Sequence, residues 1–180
     1  MKMRFALETQ RLLLREMEEA DCAALHAVLG DETIMRHYPS AFDEKRVREW
    51  IQRNRERYRE LGFGLWAVCL KDGGVIGDCG LTLQRIDGET LPEIGYHIRR
   101  DCQRLGYAKE GAAAVRDWAF EHTDFPAVYA YCKYTNLPSR RTAEAIGMRL
   151  VKEYPDEING VTCVFALTRE AWDSMKRNGG

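Results

Sequence analysis

The chain has 180 residues, of which 45% are apolar and 31% charged, with a formal net charge of -1. That composition is ordinary for a globular protein and sufficient for one domain with its own core. The lack of a basic excess argues against a general nucleic-acid binder. The N-terminal MKMRFALETQ lacks the apolar stretch of a signal peptide, and no run approaches the ~20 apolar residues of a membrane span, so a soluble cytoplasmic protein is expected. Six cysteines are spread singly through the chain without a C-x-x-C pair, so neither a zinc site nor a disulfide framework is expected.

In chain order, residues 11–16 (RLLLRE) predict a first strand and residues 18–30 a helix stopped by Gly30. Pro39 breaks the mixed segment 31–42. The next helix is the clearest. Val47, Trp50, Ile51, Asn54, Tyr58 and Leu61 share one face, Asp43 suits the N-cap and Gly62 the stop. Its other face carries six arginines with interleaved glutamates, and Glu44–Arg48 and Glu49–Arg53 have the spacing of favourable pairs. That face reads as solvated, with an acidic partner or RNA as the alternative. Strands at 65–70 and 75–86 flank the turn Lys71-Asp72-Gly73-Gly74, and a third strand covers 94–98. A helix from about 107 to 121, a strand at 128–132, a helix at 136–146 closed by Gly147, and a hairpin of 150–154 with 161–167 follow. This order predicts an α/β fold with a mixed sheet and helices on both faces.

The chemistry concentrates in residues 93–111, EIGYHIRRDCQRLGYAKEG, where a strand runs through a loop into a helix. A helix start presents unpaired N–H groups and a positive dipole end, and so suits phosphate. Gly106 removes the side chain that would hold an anion off the backbone, Ala108 keeps the first turn small, and Arg99, Arg100, Arg104 and Lys109 add positive charge. Neither G-x-x-x-x-G-K-[ST] nor G-x-G-x-x-G occurs.

Gln103-Arg104-Leu105-Gly106-Tyr107-Ala108 resembles the [R/Q]-x-x-G-x-[G/A] pyrophosphate loop of GNAT acetyltransferases. The longer E-I-G-Y-H-I followed by L-G-Y-A-K-E-G is similar to the branch holding the ribosomal-protein N-terminal acetylases (RimJ/RimL-like). Asn136, Ser139, Glu144, Gly147 and Met148 match that branch's N-x-x-S-x-x-x-x-E-x-x-G-[FM] segment, and Thr9 to Arg15 resembles its first strand. The likeness implies a single GNAT domain over about 8–171, with a mostly antiparallel sheet and acetyl-CoA as acetyl donor. It further implies that backbone groups of His97, Ile98 and Arg99 hold the pantetheine arm. Gln103, Arg104, Leu105, Gly106, Tyr107, Ala108 and Lys109 would hold the pyrophosphate, and Asn136 and Ser139 would flank the thioester.

Two positions depart from the family pattern. Ala143 stands where many relatives carry a tyrosine acid, and Tyr131 where several carry a base glutamate. Glu93 is then the candidate base, acting through water, and Ser139 and Tyr131 the candidate proton donors. His97 shares the strand face of Glu93, though a packed histidine is its simpler role. The expected reaction is direct acetyl transfer to a primary amine, on a protein N-terminus or a small molecule, without a metal. The alternative is a CoA-binding sensor or scaffold without catalysis. Homodimerisation is compatible with the family, and acceptor choice is expected in residues 31–42 and 153–160.

Overall fold

The computed structural model describes residues 5–179. One eight-stranded sheet runs in the order β1-β2-β3-β4-β5-β6-β8-β7. Its strands are β1 (Phe5–Glu8), β2 (Leu12–Arg15), β3 (Leu65–Leu70), β4 (Val75–Ile86), β5 (Glu89–Ile98), β6 (Ala127–Lys133), β7 (Arg149–Asp156) and β8 (Gly160–Thr168). The helices are α1 (Cys22–Leu29), α2 (Glu44–Leu61), α3 (Tyr107–His122), α4 (Leu137–Ala145) and α5 (Arg169–Asn178). Among the described residues no helix is long and apolar enough to cross a membrane.

The sheet is covered on both faces, and β3 shows why. Leu65, Ala67 and Cys69 pack with Leu25, Leu29, Val47 and Ile51 of α1 and α2. Trp66 and Val68, at the alternate positions, pack with Ala112, Val115 and Ala119 of α3. A strand buried on both faces reads as a continuous apolar run, as LWAVCL does. The helix α2 follows its sequence closely. The Asp43 carboxylate accepts the Arg46 N–H at 2.8 Å, and Gly62 ends the helix at φ 79°, where a side chain would be strained. On the arginine face Arg48 pairs with Glu44 at 2.5 Å, whereas Glu49 faces Lys45 at 3.9 Å rather than the expected Arg53.

Several boundaries differ from the sequence expectation. A short strand, β1, precedes the expected first strand and pairs with it. The helix expected over 18–30 opens as a 3-10 turn at Glu19–Asp21, held by Asp21 accepting the Glu18 N–H, before α1 begins. The strand expected at 94–98 begins at Glu89, because Asp87 (φ 47°) and Gly88 (φ 86°) form a tight turn that continues the β4–β5 hairpin back to its tip. A last helix, α5, had no expectation. The Thr168 hydroxyl caps it, and Trp172 stacks on Phe120 at 5.2 Å.

β5 and β6 run parallel and share the single register pair Glu93↔Tyr129. Beyond that pair the strands part, and the sheet opens into a cleft. A crossover through α3 separates the two strands in sequence, as a parallel connection requires.

Candidate active site

The cleft has a volume of about 340 Å³. One wall is β5 with Thr82 of β4 and Trp50 of α2, and the other is β6 with Asn136 and Ser139 at the start of α4. His37, Tyr38 and Pro39 close it on one side, and Tyr154, Asp156, Ile158 and Asn159 of the β7–β8 hairpin on the other. Both segments expected to govern acceptor choice therefore reach the cleft.

Backbone polarity along β5 alternates. The Arg99 N–H donates to the Ile76 carbonyl at 2.8 Å, which fixes the β4–β5 register so that residues 93, 95 and 97 turn their peptide groups to β4. The His97 carbonyl points the same way, since a Cβ on Gly77 would lie 1.9 Å from it. Tyr96 and Ile98 turn their peptide groups toward the opening. The Ile98 carbonyl accepts from Gln103 Nε2 at 2.9 Å, leaving its N–H and both groups of Tyr96 at the open edge. The expectation that His97 and Arg99 offer backbone groups to a pantetheine arm is corrected accordingly. The His97 peptide groups and the Arg99 N–H are committed to β4, the Arg99 carbonyl accepts the Cys102 N–H at 2.9 Å, and Ile98 alone of the three faces the gap.

Past β5 the chain makes a 3-10 turn at Arg100–Cys102 and enters α3 through Gln103 to Gly106. Gly106 is the N-cap at φ 85°, and Arg104 also takes a left-handed conformation at φ 62°. The two left-handed residues turn successive N–H groups outward into a concave nest. Among the described residues, the N–H groups of Arg104 to Lys109 have no protein acceptor. Gln103, Arg104, Leu105 and Lys109 are exposed, whereas Tyr107 and Ala108 are partly covered. Arg11, distant in the chain, also meets this loop. Its guanidinium donates to the Leu105 carbonyl at 2.9 Å, pairs with Glu110 at 2.6 Å and lies over the Tyr107 ring at 4.4 Å. It braces the loop from the β1–β2 turn and adds positive charge beside Gly106.

The titratable groups lie deeper. Glu93 sits at the last paired position before the strands separate. Burial pushes its carboxyl up from the ordinary 4.5 to about 7, against the opposing Thr82 hydrogen bond and the positive charges of His97 and Arg57. Thr82 Oγ1 donates to Glu93 Oε2 at 3.2 Å. A side chain on Gly95 would crowd that carboxylate, with its Cβ 3.2 Å from Oε2. Tyr131, on the opposite wall, has its phenol pushed up to about 12 by burial and by the charge of Glu93. Asn136 caps α4, accepting the Ser139 N–H at 3.3 Å. The Tyr96 hydroxyl donates to the Ser139 carbonyl at 2.9 Å and lies 3.4 Å from its Oγ, so Tyr96 fixes the start of α4 against β5. Ala143 is buried in the core and offers no proton donor. Glu93, Tyr131, Asn136 and Ser139 thus line one cleft, while the unpaired N–H groups of Arg104 to Lys109 lie together at the helix start.

A four-residue network was not anticipated from the sequence. His97 Nδ1 is 2.7 Å from Asp78 Oδ1, its Nε2 is 2.9 Å from the Tyr38 hydroxyl, and Trp50 Nε1 donates to Asp78 Oδ2 at 2.9 Å. Asp78 has no exposed surface. The available signal was an aspartate inside the otherwise apolar strand VIGDCGL, since a buried carboxylate demands partners.

Residues 11–149 match the family model described as an acetyltransferase (GNAT) domain. The chain is 36% identical over 148 residues to YkkB of Bacillus subtilis, covering 81% of this chain and 86% of that protein. It is 30% identical over 145 residues to the N-acetyltransferase YnaD of the same organism, covering 79% and 82%. Its fold superposes with a TM-score of 0.78 on a GNAT-family acetyltransferase from Bacillus anthracis, at 26% identity over 91% of this chain and 98% of that one. It shares its fold, at a TM-score of 0.76 and 18% identity over 93% and 99% of the two chains, with a RimL ribosomal L7/L12 alpha-N-protein acetyltransferase in complex with coenzyme A. The chain therefore belongs to the GNAT family, acyltransferases whose acetyl donor is acetyl-CoA.

Proposed function

We propose that this enzyme transfers acetyl directly from acetyl-CoA to a primary amine, with Glu93 as the general base. The observation that carries the reading is a carboxylate held near a pKa of about 7 where the sheet opens. Such a group is poised to accept a proton near neutral pH. The pyrophosphate lies on the N–H groups of Arg104 to Lys109, and the pantetheine arm follows the open edge of β5 at Tyr96 and Ile98. The thioester then reaches the region of Asn136 and Ser139.

The acceptor arrives as an ammonium and gives a proton to Glu93, directly or through water. The neutral nitrogen attacks the thioester carbon, and a backbone N–H on the open edge of β5 faces the developing oxyanion. The carbon–sulfur bond breaks and the electron pair leaves on sulfur; the Tyr131 or Ser139 hydroxyl supplies the thiol proton and regains one, through water, from the nitrogen as the amide forms. An amide and CoA thiol result, with no covalent enzyme intermediate.

An α-amine suits this base better than a lysine. The reference α-amino pKa of about 8 lies roughly one unit above that of Glu93, whereas a lysine at about 10.4 lies more than three above it. Asp156 on the β7–β8 hairpin adds negative charge at the cleft mouth that attracts the incoming ammonium. The relationship to a named alpha-N-protein acetyltransferase fold points the same way. The test offers acetyl-CoA with two peptides, one with a free N-terminus and no lysine, the other with a blocked N-terminus and an internal lysine. Mass spectrometry then locates the acetyl group. Modification of the free N-terminus is expected. Preference for lysine overturns the α-amine assignment, and release of no thiol with any amine overturns the catalytic reading.

A further inference from the structure

With His97 neutral, the Asp78–His97–Tyr38 chain has a single hydrogen-bond polarity, and it ends in the cleft. An ionised carboxylate only accepts, so His97 must carry its proton on Nδ1 to satisfy Asp78 Oδ1 at 2.7 Å. The Trp50 indole, a donor only, fills Asp78 Oδ2. A neutral imidazole with Nδ1 protonated has an accepting Nε2, and the group 2.9 Å from it is the Tyr38 hydroxyl. Tyr38 must therefore donate inward. Its proton is committed, and its oxygen retains only lone pairs for whatever occupies the cleft. Tyr38 lines that cleft together with Glu93. Desolvation of its hydroxyl, and next the charge of Glu93, push the Tyr38 phenol well above its ordinary range, so it keeps its proton although the residue as a whole is part exposed.

We propose that Tyr38 is a second acceptor for the substrate nitrogen, held in accepting polarity by neutral His97 and Asp78, and that Tyr38 and Glu93 together select primary amines. The inference rests on the amine-acetylating reading above. A neutral primary amine has two N–H bonds and one lone pair. Two acceptors on the enzyme hold both N–H bonds and leave the lone pair as the only free direction, toward the thioester. A secondary amine can satisfy only one of the two. The loop carrying Tyr38 is tied to β5 through this chain, and the tilted packing of Tyr38 on His97, with ring centroids 5.3 Å apart, adds to the tie. Tyr38 would touch the substrate, whereas His97 and Asp78 act as positioning residues.

The test compares wild type with Tyr38→Phe, which keeps the ring and removes the oxygen. Tyr38 is 42% exposed, so the fold tolerates the change. Benzylamine, putrescine and a tetrapeptide with a free α-amine are each offered beside their N-methyl counterparts, and kcat/KM is measured for the reactive pair. The assay runs at about pH 9.5, three units above the reference histidine pKa, because burial is outweighed by Asp78 and Glu93, which raise the pKa of His97, and an imidazolium would turn the Tyr38 proton toward the cleft. One lost hydrogen bond predicts that the primary-to-secondary preference falls roughly 5- to 10-fold in Tyr38→Phe. Acetyl-CoA affinity by calorimetry should be unchanged. A preference that persists in Tyr38→Phe, with activity on both amines reduced equally or not at all, overturns the inference while leaving amine acetylation standing. A wild type that acetylates no amine removes the functional reading and this inference with it.

Discussion

Glutamine in place of Glu93 keeps the size of the side chain and removes its titration, so one substitution separates the folding role of the carboxyl from its chemical role. The rise from the ordinary 4.5 to about 7 corresponds to about 3 kcal/mol at 1.36 kcal/mol per unit. Because the folded pKa is the higher one, the native state binds more protons than the unfolded chain between those two values. Stability therefore falls as pH rises from about 4.5, and the loss is complete above about 7. Glu93→Gln should match wild type in thermal melts below pH 4.5 and exceed it above pH 7, by up to about 3 kcal/mol. Turnover should move the other way. Wild-type kcat at saturating amine should rise with pH through about 7, as the carboxylate forms in the enzyme–substrate complex. Glu93→Gln should lose that limb and fall roughly 100-fold or more, the scale of a positioned general base. A variant that keeps the limb and the rate, measured by thiol release from acetyl-CoA, would falsify the assignment of Glu93 as base. A variant no more stable at alkaline pH would show that the native carboxyl titrates near its ordinary value.

Two further substitutions address the cofactor side. Gly106→Val forces a β-branched residue into a left-handed N-cap at φ 85° and crowds Arg11, whose Nη2 would lie 3.2 Å from the new Cβ; CoA affinity by calorimetry should fall at least tenfold, the equivalent of about 1.4 kcal/mol. Asn136→Ala removes an N-cap bond of 3.3 Å and should cost about 1 kcal/mol in a melt, with turnover reduced much further, while a large stability loss with normal turnover would leave Asn136 only its capping role.

The parts of the fold legible in the sequence are those set by near neighbours. Asp43 and Gly62 bound α2 within one residue of expectation because capping is local chemistry. The start of α3 at Gly106 was legible for the same reason, since the glycine and the first helical residues lie within a few positions of one another. The turn Asp87-Gly88 carried an equally local signal, and reading it would have extended β5 back to Glu89. The candidate site was harder to read. Asp78, His97, Tyr38 and Trp50 come from two strands, a loop and a helix, and no spacing in the chain joins them. The peptide groups that face the opening depend on the β4–β5 register, which period-two alternation alone does not fix. Placing Arg11 against Leu105 and Glu110 likewise requires the strand order to be known first.

The single pair between β5 and β6 has one more consequence. An unpaired strand edge is normally a hazard at the rim of a sheet, where it templates pairing with other chains. Here such an edge lies in the interior, between two half-sheets of five and three strands, where no second protein molecule can dock on it flat. A slender extended chain with its own amide groups can enter. A pantetheine arm in that place would serve as a short extra strand stitching the halves together. Occupancy would then add to folding stability by mass action, by roughly 2.7 kcal/mol at a hundredfold excess over Kd.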